Sequence, residues 1–110
     1  MITNSGITLY HAETDGETRQ EVFRRRFFPG CCVYQAVSVE KRHSRSGPWM
    51  ERDTVIRIPT GDEIALAVGD RVVLGECAAA EPPAESRQVC GFADNRRGSG
   101  AVRHWRVVCR

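Results

Sequence analysis

The chain has 110 residues, 41% hydrophobic and 27% charged, with a formal net charge of +2, a length that holds one ordinary domain around a single modest core. Near-average composition excludes wholesale disorder, and uncharged apolar runs of only a few residues exclude a helix that crosses a bilayer, which takes about 20. The opening MITNSG has no basic stretch followed by an apolar one, so no secretory signal is expected and residence in a cytoplasm is.

In chain order, ITLYH at 7–11 alternates as a first strand. ETRQEVFRRRFF at 17–28 is ambiguous. A strand would set Phe23 and Phe27 on one face and Val22 and Phe28 on the other, whereas a short helix would gather Val22, Phe23 and Phe27. FPGC then supplies a turn through Pro29 and Gly30. CVYQAVSVEK at 32–41 is a strand with Val33, Val37 and Val39 on one face. HSRSGPW at 43–49 is a polar loop, and DTVIRIP at 53–59 is a β-branched strand stopped by proline. In that strand Val55 and Arg57 face one way, and Thr54, Ile56 and Ile58 the other.

Turns follow at TGDE and at Gly69-Asp70, then a short strand at 71–74. CAAAEPPAES at 77–86 is a flexible or weakly helical connector, because Pro82 and Pro83 bar a hydrogen-bonded ladder. RQVCGFA at 87–93 and AVRHWRVVCR at 101–110 form a closing antiparallel hairpin joined by DNRRGSG, a loop of turn formers. In its second strand Ala101, Arg103, Trp105, Val107 and Cys109 share one face, and Val102, His104, Arg106, Val108 and Arg110 the other. Trp105, Val107 and Cys109 are the expected core anchors. The chain therefore reads as mainly β: a single domain over 1–110, a small antiparallel β-barrel or sandwich of about six strands with at most a short helix. Flexible loops are expected near 42–50, 75–86 and 94–100.

Charge is unevenly spread. Residues 1–86 carry ten basic against thirteen acidic side chains, while residues 87–110 carry six against one. The closing hairpin is thus an electropositive end able to meet acidic protein or phosphate. Its arginines, Arg96, Arg97, Arg103, Arg106 and Arg110, are the candidate interaction residues. The same residues with Trp105 could imitate a single-strand-binding barrel, although Trp105 falls on the core face.

Five cysteines, Cys31, Cys32, Cys77, Cys90 and Cys109, make an odd count with no CxxC pair, so neither a disulfide framework nor a zinc site is expected. Cys90 and Cys109 read as small buried hydrophobes. Gly61-Asp62-Glu63 and Gly69-Asp70 lack calcium-loop spacing and read as turns. His11, His43 and His104 stand in no local catalytic motif, and His104 shares no face with Cys109. No phosphate-cradling glycine motif occurs. The expectation is a protein without catalytic residues, cofactor or metal.

The stretches ITLYH, ETRQEVFRRRFFPG, VIRIP, VGDRVVLGE and especially GFADNRRGSGAVRHWRVVCR resemble a family of small uncharacterised prophage proteins encoded among head and neck genes. More distantly the layout resembles the head–tail joining proteins of long-tailed phages, through Val55 to Pro59, Gly69 to Val73 and Val89 to Arg110. The resemblance implies a small barrel that assembles as a ring in the virion neck, a head–tail connector or head-completion (minor capsid) component. Its implied partners are other copies of itself, portal or adaptor proteins and tail-terminator proteins, with non-specific DNA contact in a lumen and no membrane. It further implies assembly in the bacterial cytoplasm and final residence in the neck. From a different class, the alternative is a small β-barrel that binds nucleic acid through Arg96, Arg97, Arg103 and Arg106.

Overall fold

In the computed structural model residues 3–37, 52–97 and 103–110 are described. The expected loop at 42–50 and the end of the loop at 94–100 lie outside them. The described residues form six strands: β1 Ser5–Thr14, β2 Glu21–Val37, β3 Arg52–Ile58, β4 Arg71–Leu74, β5 Arg87–Asn95 and β6 His104–Cys109. Each pairs antiparallel with its neighbours, and together they close a barrel in the order β1-β2-β3-β6-β5-β4. No helix occurs among the described residues, so the ambiguous stretch at 17–28 contributes a hairpin end and a strand. Asp15 closes that hairpin end: its carbonyl accepts from the Arg19 amide at 2.8 Å and its carboxylate from the Glu17 amide at 2.9 Å.

The turn expected at Pro29-Gly30 is not formed. β2 runs unbroken through both residues, and its partner changes there: Glu21 to Cys31 pair with β1, Cys32 to Val37 with β3. Gly6 stands opposite Pro29 and Gly30, one residue against two, in a β-bulge. A bulge bends its strand and leaves an amide position unpaired, which is where a proline without an N–H fits. Gly6 is required for a second reason. A Cβ there would come within 2.9 Å of the Phe27 ring, which lies over it.

β5 turns the opposite corner of the barrel in the same way. Arg87 and Gln88 pair with β4, Val89 onward with β6, and Cys90 is the extra residue between the Val89 and Gly91 pairings. The slip inverts the alternation, so Phe92 and Asp94 share the face of Val89 but lie at the barrel end, where both are exposed. Phe92 thereby meets Trp105, ring centroids 6.5 Å apart, and half-buried Cys90 leaves the core to Cys109.

Inside lie Ile7, Leu9, Phe28, Cys31, Ile56, Ile58, Val72, Val89, Trp105, Val107 and Cys109. The five residues Ile7, Ile56, Ile58, Val72 and Val107 are at most 1% exposed, and each such burial stabilises by roughly 1.5–3 kcal/mol. The link from β3 to β4, residues 59–70, crosses one end of the barrel. It drops Ile64 into the core and packs Leu66 against it, and the Asp62 carbonyl accepts the Trp105 indole N–H at 2.9 Å.

The connector at 75–86 contains no helix and lies along the outer face of β1. Thr8 Oγ1 donates to the Gly75 carbonyl at 2.8 Å and accepts from the Cys77 amide at 3.0 Å. The Tyr10 hydroxyl donates to the Ala79 carbonyl at 2.8 Å. Thr8 and Tyr10 are consequently as buried as the inner residues beside them.

Candidate functional site

The closing hairpin scatters its arginines instead of massing them. Arg96 is tied down: its guanidinium holds the Asp94 carboxylate at 2.8 Å through both Nε and Nη2, donates to the Gly61 carbonyl at 3.3 Å and stacks 4.9 Å from the Trp105 ring centroid. Those bonds hold the Asp94 carboxyl below the usual range. Arg103 lies close over Gly61 at the same barrel end, and Arg97 is exposed beyond it. Arg110 is bonded to Asp53 at 2.9 Å at the far end of β6, and Arg106 lies between, on the outer face opposite Arg57. Trp105, 6% exposed, and fully buried Val107 and Cys109 sit in the core. Trp105 therefore offers no ring face for a base to stack upon.

A more coherent site lies at the other side of the crossover. Since β3 pairs with β2 only from Cys32 onward, the stretch Glu21 to Phe28 has a ladder partner on β1 alone, among the described residues. Beside this stretch lies a cleft of about 420 Å³ lined by Leu9, His11 and Glu13 of β1, the three consecutive arginines Arg24, Arg25 and Arg26, and Glu63 to Ala65 of the crossover. Side chains on a strand alternate in direction, and Arg25 points to the outer face, where Nη1 reaches the Ala79 carbonyl. Three successive residues can line one cleft only if the backbone between them forms part of its wall.

The cleft has an apolar floor, Leu9 and Ile64, and a charged rim. Arg24 donates to Glu13 across the hairpin. Arg26 stacks on Phe28 at 4.7 Å and stands 3.7 Å from Asp62. Both arginine side chains are well exposed, at 77% and 48%, so these pairings are weak and exchangeable.

At the inner end of the cleft, His11 Nδ1 lies 2.7 Å from Asp70 Oδ2. The Asp70 carboxylate is buried and also accepts the backbone amides of Ala67 at 2.9 Å and Ala12 at 3.1 Å. An imidazole oriented by a carboxylate makes two of the three members of a catalytic triad. The cleft lining, however, contains no hydroxyl or thiol for it to activate. Its role here is to pin β1 to the entrance of β4. Sequence reasoning read His11 as isolated and Asp70 as turn chemistry, and 58 intervening residues conceal the pair. The arginine run was visible, but not the unpaired strand edge beneath it.

Among the described residues no group of three or more histidine, cysteine, aspartate or glutamate side chains converges as metal ligands would, and no helix is long and apolar enough to cross a membrane. Neither a characterised protein nor a solved structure shows significant similarity to the chain. A family model does match it over residues 2–110, that of the family of unknown function DUF6751, and the chain belongs to that family.

Proposed function

We propose that the protein is a non-catalytic assembly component of a prophage-encoded virion, a head–tail connector or head-completion protein that docks in a ring between portal or adaptor and tail proteins. The observation that carries the reading is the unpaired edge of β2 beside an apolar-floored cleft. Barrel closure satisfies strand edges, and a stretch left open is a place for another chain to add a strand. Arg24, Arg25 and Arg26 select what can be added. Two copies pairing antiparallel through this edge would set arginine against arginine, which is destabilising. An extended acidic segment would be attracted to it. A head-to-tail contact of this kind, in which two different surfaces of neighbouring subunits meet, closes into a ring when the rotation per step allows. The excess of acidic residues before position 87 supplies the complementary charge.

The test is co-expression with the portal, adaptor and tail-terminator proteins of the same gene neighbourhood, read by light scattering and negative-stain microscopy. Rings, or a stable complex with a neck protein, are expected, and the double variant Arg24→Glu/Arg26→Glu should lose them while remaining folded. A chain that stays monomeric beside every neck protein, or a gene neighbourhood without virion genes, overturns the reading.

A further inference from the structure

The outer face of the sheet formed by β3, β6 and the second halves of β2 and β5 carries a feature that docking through β2 does not use. Arg57 and Arg106 are directly opposed across the β3–β6 ladder, where side chains leave the backbone about 5 Å apart. Among the described residues neither has a carboxylate partner. Among the described residues the acidic side chain on this face is Asp53, which lies four residues along β3 from Arg57 and is bonded to Arg110. Like charges placed opposite one another on adjacent strands destabilise the ladder unless an anion lies between them. Arg57 Nε is in addition buried without a hydrogen-bond partner, which a folded protein rarely tolerates at a position without a purpose.

The surroundings suit an oxyanion. Cys32 and Ala93, both small, flank the pair in the same cross-strand row. Tyr34 packs beside Arg57, the guanidinium carbon 5.5 Å from the ring centroid. The Tyr34 ring itself is 37% exposed. Two planar forks drawn from opposed ladder positions suit the several oxygens of a phosphate group better than a single carboxylate.

We infer that Arg57 and Arg106 form a phosphate-binding site on the outer sheet face, with Tyr34 as its aromatic wall. Phosphate can come from a free anion or from a nucleic-acid backbone, and Tyr34 tells the two apart. A base can stack on an exposed ring beside bound phosphate, whereas inorganic phosphate gains nothing from it.

The experiment uses the full chain, isotopically labelled, titrated in separate arms with inorganic phosphate, with an oligothymidylate of about eight nucleotides and with sodium chloride at matched ionic strength. Saturable shifts of the Arg57 and Arg106 signals, including the Arg57 Nε–H, are expected with phosphate and not with chloride. Arg106→Gln should weaken binding by about tenfold or more, and Arg106→Lys, which keeps the charge but not the fork, should fall between. Tighter binding of the oligonucleotide, weakened by Tyr34→Leu without change in phosphate binding, assigns the site to nucleic acid. Equal binding of both, indifferent to Tyr34→Leu, assigns it to the free anion. Shifts that follow ionic strength alone, or phosphate binding unchanged in Arg106→Gln, overturn the inference. Should Arg57→Gln fail to fold, the Arg57 Nε–H signal in the unaltered chain and the half-exposed Arg106 variants still decide it.

Discussion

Asp70 is a buried carboxylate with three donors, two of them backbone amides and the third His11. Truncation leaves the Ala12 and Ala67 amides and the imidazole to find other partners inside the protein, and orphaned buried groups cost more than the bonds themselves contributed. Asp70→Ala should therefore destabilise by about 3 kcal/mol, and His11→Ala, which leaves two donors in place, by about 1 kcal/mol. Urea unfolding followed by Trp fluorescence checks the order, and equal losses would contradict this account of the site. The cysteines divide in a similar way. Burial pushes the Cys31 thiol up to about 11 and the Cys109 thiol up to about 12, whereas Cys32, Cys77 and Cys90 are half-exposed. Since the thiolate is the reactive form, brief alkylation at neutral pH should modify some of those three while leaving Cys31 and Cys109 untouched, as peptide mass spectrometry would show.

Among the elements, β3, β4 and β6 could be read from the sequence because their alternation is unbroken and their ends are marked by proline, glycine or charge. The expected facing of Val55 against Ile56 and of His104 against Trp105 follows from that regularity. β2 and β5 defeat the same reasoning at their bulges. Pro29-Gly30 has the local chemistry of a turn, and only the ladder to Gly6 makes it a corner in a continuous strand. Cys90 inverts the alternation so that Phe92 turns to the side of Trp105. Tyr10 and Thr8 could not be placed either, since they point outward and are buried only because residues 75–79 return across them. Those bonds hold the connector as an element of the barrel wall. Thr8→Val removes one donor and one acceptor at once, leaving the Cys77 amide unpaired, and Tyr10→Phe removes one bond. Losses of about 2 and about 1 kcal/mol respectively are expected, with faster amide exchange or proteolysis confined to 75–86. Unchanged exchange there would show that the connector is held by other contacts.

For the molecule as a whole, closure makes stability a shared property: β6 seals the barrel between β3 and β5, and Cys109 on it and Cys31 at the β2 corner face the same core. The charge asymmetry of the sequence survives folding only as separate features, an arginine-lined open edge, a tethered hairpin end and an opposed arginine pair, because strand order sends neighbouring basic residues to different faces and ends. The two core thiols make closure sensitive to alkali. Both have an ordinary value of 9.0 and are raised in the folded state. Below pH 9 each is protonated whether the chain is folded or not, so the stabilising difference is fully present. As the pH rises from 9 towards 11, the unfolded chain releases the two protons while the folded one keeps them, and stability falls. By pH 10 the loss should reach about 1 kcal/mol for each thiol and between about 2 and 3 kcal/mol for the pair. Melting temperature measured between pH 8 and pH 10, at constant ionic strength, should decline in the unaltered chain and decline less in Cys31→Ala and Cys109→Ala, each compared with its own value at pH 8. Parallel curves for all three would mean that the thiols ionise without opening the barrel, and that the core admits solvent at the β2 corner.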